Sequence, residues 1–139
     1  MVSMIFLLLL LVSSAYAQTG TISVNVTQID IKKGGRVKIG IYDAAGFPVV
    51  EKAVAGIDLE VNGSSVDYVF DKFPVGKYAI AVFQDENMDN KLNKNLFGVP
   101  KEPYGFSKNK YGKLGPPDFE DVAFEVKENR SVSITIKLE

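Results

Sequence analysis

The 139-residue chain contains no cysteine, no histidine and no tryptophan. Without cysteine there are no disulfides, no thiol nucleophile and no thiolate metal site. Without histidine there is no imidazole base, no Ser-His-Asp triad and no His-ligated zinc. Chemistry would fall to carboxylates, lysine, tyrosine and serine. Glu102, Asp118, Glu120 and Asp121 are the acids a glycosidase pair would need, but their spacing sets no two at a defined separation. No nucleophile–base pair or open metal centre is visible, so the chain reads as a non-enzyme. The net charge is only −1 and no basic run interleaved with aromatics occurs, which argues against nucleic acid.

Long apolar runs are absent as well. The one candidate, residues 5–12 (IFLLLLLV), falls short of the ~20 residues a bilayer span needs. Ser13-Ser14-Ala15-Tyr16-Ala17 follows, with small residues at Ala15 and Ala17, as in a secretory signal peptide and its cleavage site. Residues 1–17 are the expected signal peptide and residues 18–139 a single mature domain with no membrane span. The product is expected to be exported, to the periplasm or outside the cell. No cysteine near the cleavage site allows a lipid anchor. Held together without disulfides, the domain must rely on its core or a bound ion.

What is present is alternation. Ile22, Val24 and Val26; Val37, Ile39 and Ile41; Ile57, Leu59 and Val61; Val66, Tyr68 and Phe70; and Val132, Ile134, Ile136 and Leu138 each recur every second residue. Residues 78–83 and 119–126 complete a set of about seven short strands with no helical period of useful length. The expected fold is all-β, an antiparallel sandwich of immunoglobulin-like or transthyretin-like type with one long ordered loop. Asn62-Gly63 predicts a type I′ hairpin. Lys38, Asp58, Glu60 and Lys137 are placed to protect sheet edges. Tyr78, after the Pro74-Val75-Gly76 turn, predicts a hydroxyl bonded back to the preceding backbone, as in a tyrosine corner.

Residues 85–96 follow the fifth strand and place side-chain oxygens at alternate positions. An EF-hand-type loop takes ligands at positions 1, 3, 5, 7 and 9. Counted from Asp85, these are Asp85, Asn87, Asp89, the backbone carbonyl of Lys91, and Asn93. Position 6 is Asn90, which tolerates a left-handed backbone. Position 12 is Leu96 instead of a bidentate glutamate, so Glu102, Asp118, Glu120 or Asp121 would have to supply that ligand. The motif predicts weak Ca²⁺ binding; turn chemistry without a metal accounts for the same residues.

From Asp85 to Asp118 no strand pattern returns, yet Leu92, Leu96, Phe97, Val99, Tyr104, Phe106 and Tyr111 give the segment too many large apolar groups for a disordered linker. They are expected to anchor it, its aromatics capping one end of the sandwich. Tyr104, Phe106 and Tyr111, with Phe119 and Lys101, Lys108, Lys110 and Lys113 nearby, are the alternative binding surface, for a protein or glycan of the cell envelope. The sequences of residues 85–107 and 115–124, preceded by residues 73–84, resemble a bacterial exported family catalogued as domain of unknown function 2141. That family's pattern has Gly where this chain has Met88 and Asn90, and often His at Gln84 and Asp at Asn93. The resemblance covers essentially the whole mature chain. It implies a prealbumin- or carboxypeptidase-regulatory-like sandwich and export, and no activity. Asn25, Asn62 and Asn129 open N-glycosylation triplets, which in a bacterial protein are chance matches.

Overall fold

The computed structural model describes residues 16–139. The apolar run 5–12 and Ala15 of the expected signal peptide lie outside the described residues. No helix among the described residues is long and apolar enough to cross a membrane.

Two packed sheets hold eight strands: β1 (Thr19–Thr27), β2 (Arg36–Tyr42), β3 (Ala55–Glu60), β4 (Ser65–Pro74), β5 (Gly76–Asp85), β6 (Tyr104–Phe106), β7 (Phe124–Val126) and β8 (Ser131–Lys137). The smaller sheet has the order β4-β1-β8. The larger has β3-β2-β5-β6, with β7 pairing the first residues of β5. Alternation explains the packing. Ile22, Val24 and Val26 of β1 and Val37, Ile39 and Ile41 of β2 point between the sheets and are all but fully buried, with Ile80, Val82, Ile136 and Leu138.

Seven strands match the alternation. The eighth, β6, is a short strand inside the long segment. Residues 119–122 form one turn of helix, α1 (Phe119–Val122), so β7 starts only at Phe124. All pairings are antiparallel except β1 with β8, which is parallel, residue Thr21 lying opposite Ser131. The Asn62-Gly63 hairpin does not form. β3 pairs with β2 and β4 with β1, so residues 61–64 carry the chain from one sheet to the other. Neither residue adopts positive φ, because a link between sheets does not need the twist of a two-residue hairpin. Lys38 also departs from expectation: β2 lies inside its sheet, and Lys38 pairs with Asp58 on the β3 edge at 2.5 Å. The Tyr78 ring lies across Gly76 and edge-on to Phe73 at 5.0 Å. Among the described residues its hydroxyl makes no hydrogen bond to the backbone.

The β8 edge is covered by the long segment. Tyr104 and Glu139 exchange backbone hydrogen bonds at 3.1 and 3.0 Å. The Asn109 amide donates to the Thr135 carbonyl (3.0 Å) and accepts from the Lys137 N–H (2.8 Å), standing where a neighbouring peptide would. Tyr111 donates its hydroxyl to the Lys137 carbonyl at 2.8 Å. The aromatics of the segment do not cap an end of the sandwich. They build a second small core on the outer face of the larger sheet, where Ala79, Phe106 and Val122 are buried among Phe47, Tyr104, Tyr111 and Phe119.

Ser107 ties that core to the sheet. Ile80 falls between the part of β5 paired with β7 and the part paired with β6. Its N–H is met by the fully buried Ser107 hydroxyl at 3.0 Å, which in turn donates to the Val122 carbonyl at 2.6 Å. Ser107→Ala strands a buried N–H and a buried carbonyl and should cost about 1–3 kcal/mol. Chemical denaturation checks this; an unchanged midpoint and slope would show that both groups find other partners.

Candidate functional site

The last two residues of β5 point to opposite faces, and both are buried and polar. Gln84 faces inward. Its amide donates to the carbonyls of Asp30 and Gly34, both at 2.7 Å, and its carbonyl accepts from the Asp30 N–H at 3.0 Å. Three of its four hydrogen-bonding positions hold the link between β1 and β2. The same link passes close to Asp85. At Gly35, with φ of 76°, a Cβ would lie 2.1 Å from the Asp85 carbonyl oxygen, so only glycine fits.

Asp85 faces outward beneath the long segment. Its two carboxylate oxygens accept from the N–H groups of Asp89 (3.1 Å) and Asn90 (2.8 Å). Asp89 accepts from the Lys91 N–H (2.9 Å) and from the side-chain amides of Asn87 (3.1 Å) and Asn93 (2.9 Å). Buried Glu102 accepts from the N–H groups of Glu86 (3.0 Å) and Asn93 (2.9 Å). Met88 and Asn90 adopt φ of 57° and 64°, the left-handed backbone expected at Asn90.

The fold thus brings Asp85, Asn87, Asp89 and Asn93 into one loop, with Glu102 beside them. Asp118, Glu120 and Asp121 lie around α1, where Glu120 pairs with Lys77. Leu96 points into solvent. Both oxygens of Asp85 and of Glu102 are turned toward amide N–H groups, and Lys91 joins through its N–H. Among the described residues no three acidic side chains converge as a metal-binding group. The Asn93 amide, and after it the Lys91 N–H, hold the Asp89 carboxyl below the ordinary carboxylate range.

A cleft of about 1120 Å³ lies beside this loop on the outer face of the larger sheet. It exists because side chains are missing from its floor. Outward positions Gly56, Gly40 and Ala81 are directly opposite one another across β3, β2 and β5, and Phe106 of β6 ends the row. The adjacent row runs Asp58, Lys38, Phe83, Tyr104. The Lys38 ammonium also donates to the Asn90 side chain at 3.0 Å, tying the loop to the floor. The Tyr42 ring folds over Gly40, where a Cβ would come within 2.7 Å of its hydroxyl. Burial, then the nearby Glu51 carboxylate, raises the Tyr42 pKa. The walls come from residues 48–53, 90–100 and 112–116.

Tyr104 and Phe106 line this cleft, but they do not stand free in solvent. They pack edge-to-face on each other at 5.9 Å and on Tyr111 at 5.6 and 6.0 Å. Tyr111 has its hydroxyl pKa pushed up to about 12, first by burial and then by Glu139 and Tyr104. Leu96, Phe97 and Val99 do not anchor the segment as expected. They are exposed, as is Leu114. Neither the small-residue row nor the Gln84 clamp was singled out by pattern. A glutamine in register with Ile80 and Val82 was the legible signal for the clamp. For the row, it was glycine at outward positions of two strands.

A family model described as an uncharacterized protein conserved in bacteria (DUF2141) matches residues 24–135, and the chain belongs to that family. No curated protein and no solved structure matches it.

The lowered Asp89 pKa fixes a pH dependence. Its contribution to loop order is complete above the unfolded value of about 3.9 and is lost as pH falls through the lower folded value. The Lys91 amide resonance should therefore shift below about pH 4, and Asp89→Asn should remove that titration. A Lys91 amide that titrates unchanged in the variant would overturn the assignment.

Proposed function

For this member of the family, we propose an exported, non-enzymatic β-sandwich that binds a ligand of the cell envelope, in the periplasm or outside the cell. The ligand lies in the cleft over Gly56, Gly40 and Ala81. The carrying observation is the row of two glycines and an alanine on adjacent strands, flanked by Tyr42, Tyr104 and Phe106. Ligand sites are typically concave and mostly apolar, with a few polar groups that fix orientation. Lys38, Asp58 and the Tyr42 hydroxyl are those groups here. The trough is open at its rim and suits an extended partner, a peptide segment or a glycan, laid across the strands. Kinship with prealbumin- and carboxypeptidase-regulatory-like sandwiches belongs to the same proposal, supported by the two facing sheets.

Calcium in the loop 85–96 is the second reading. The clustering of Asp85, Asn87, Asp89 and Asn93 favours it; the commitment of both Asp85 oxygens to amides weighs against it. The cleft reading stands without a metal.

Two measurements test these readings. The anionic dye 1-anilinonaphthalene-8-sulfonate should bind saturably, and Ala81→Phe, which fills the floor, should weaken it about tenfold or more, about 1.4 kcal/mol. Equal binding by the variant, with its melting curve intact, would remove the cleft as the site. Millimolar Ca²⁺ should raise the melting temperature under the second reading, and Asp89→Ala should abolish the rise. A flat response would end it.

A further inference from the structure

Leu96, Phe97 and Leu114 are 101%, 90% and 104% exposed. Leu96 and Phe97 are adjacent, and Phe97 and Leu114 border one cleft, so they form an exposed apolar patch of the kind that marks an interaction site. We infer that the two loop tips carrying them dock the protein on an anionic lipid bilayer.

The first tip is built to present its apolar residues. Lys94 and Pro100 bridge its base. Asn95 turns inward, accepting from the N–H groups of Phe97 (2.9 Å) and Val99 (3.0 Å) with its side chain. The Asn95 N–H donates to the Val99 carbonyl at 2.9 Å, and Gly98 turns the chain with φ of 77°. The polar residue is spent on the backbone and Leu96-Phe97 form the apex. The second tip is folded tightly on itself: at Gly112 a Cβ would lie 2.1 Å from the Gly115 carbonyl oxygen. Leu114 is its apex. Phe97 and Leu114 border the same cleft, so the tips share one side of the molecule.

Charge selects the partner. Residues 90–117 contain six lysines and one acid, Glu102, in a chain whose net charge is −1. All six lysines are exposed, and none is in an ion pair among the described residues. Glu102 is buried with both oxygens bound to backbone N–H groups. Lys91, Lys94 and Lys113 border the cleft with Phe97 and Leu114; the exposed acids there are Glu51 and Asp58, the latter paired with Lys38. Apolar apices beside unpaired lysines are what a peripheral protein brings to a membrane, the apices entering the headgroup region and the ammonium groups meeting lipid phosphates. The opposite outer face, on the smaller sheet, presents Thr21, Ser23, Asn25, Ser133 and Thr135 and has no such tips. This inference does not depend on what the cleft takes.

Residues 18–139 hold every described strand and both cores, and serve as the test protein. They should co-sediment with vesicles of phosphatidylglycerol and phosphatidylcholine (1:1) at low salt. They should not co-sediment with pure phosphatidylcholine. The combined variant Leu96→Ser, Phe97→Ser, Leu114→Ser should keep its melting curve and lose about tenfold or more in partitioning. Each of Lys91→Gln, Lys94→Gln and Lys113→Gln should weaken binding about fivefold at low salt. The chain has no tryptophan, so Phe97→Trp supplies a single reporter whose emission should move to the blue only with anionic vesicles. Absence of co-sedimentation, equal binding to phosphatidylcholine, or a triple variant that binds like the parent would each overturn the inference. A blue shift produced by protein concentration alone would also overturn it, in favour of a second copy of the chain.

Discussion

Two neighbouring side chains at the end of β5 carry the polar wiring of the molecule. Successive strand residues face opposite ways, so Gln84 enters the space between the sheets and Asp85 the space above the larger one. Each takes up backbone groups that no strand reaches, Gln84 in the link between β1 and β2, Asp85 in the segment that leaves β5. A buried backbone group without a partner costs about 1–3 kcal/mol. One pair of side chains therefore fixes two irregular segments on either side of a sheet. The β1–β2 link passes so close to Asp85 that Gly35 cannot carry a side chain. The long segment is ordered from its first residues, and its later features, the cleft walls and loop tips, inherit that fixed origin.

The two outer faces have diverged. On the smaller sheet hydroxyl and amide side chains stand in register, Thr21 opposite Ser131, Ser23 opposite Ser133, Asn25 opposite Thr135. Thr21 and Asn25 donate to Asp71 (3.1 Å) and Asp67 (2.8 Å) on β4, and Ser131, Ser133 and Thr135 are exposed. On the larger sheet small residues leave a trough and the long segment raises walls around it. The sandwich supplies rigidity, and the distinctive surface sits on one side of it. This is the common division between a packed scaffold and the loops it holds.

Much of the fold was legible because alternation is local. The β1, β2, β4 and β8 patterns needed only the period of two, and their inward rows are the buried or half-buried rows of the core. The departures come from non-local facts. Asn62-Gly63 fits a hairpin, but whether β3 meets β4 depends on which strands already occupy β2 and β1, and no window of sequence contains that. Phe119 to Val122 became helix because the chain must turn over the Phe106 core before β7 can begin. Within the long segment, Tyr104 and Phe106 joined the second core while Leu96 and Phe97 did not; all are equally apolar in composition. Their neighbours separate them: Asn95 and Gly98 frame a turn, and turn chemistry overrode hydrophobicity. The loop 85–93 was legible in its geometry, down to left-handed Asn90. How the carboxylates are used was not, since an oxygen that accepts from an amide and one that would ligate a cation are the same atoms.

The parallel pairing of β1 with β8 has a consequence in time. β1 is the centre of its sheet, and one of its two neighbours is β8, the last described strand. Loops that long close slowly, and synthesis runs from the other end. In a nascent polypeptide β1 can pair on one side with β4 and stays open on the other until β8 has been made. Closure of the smaller sheet is thereby set late by connectivity alone.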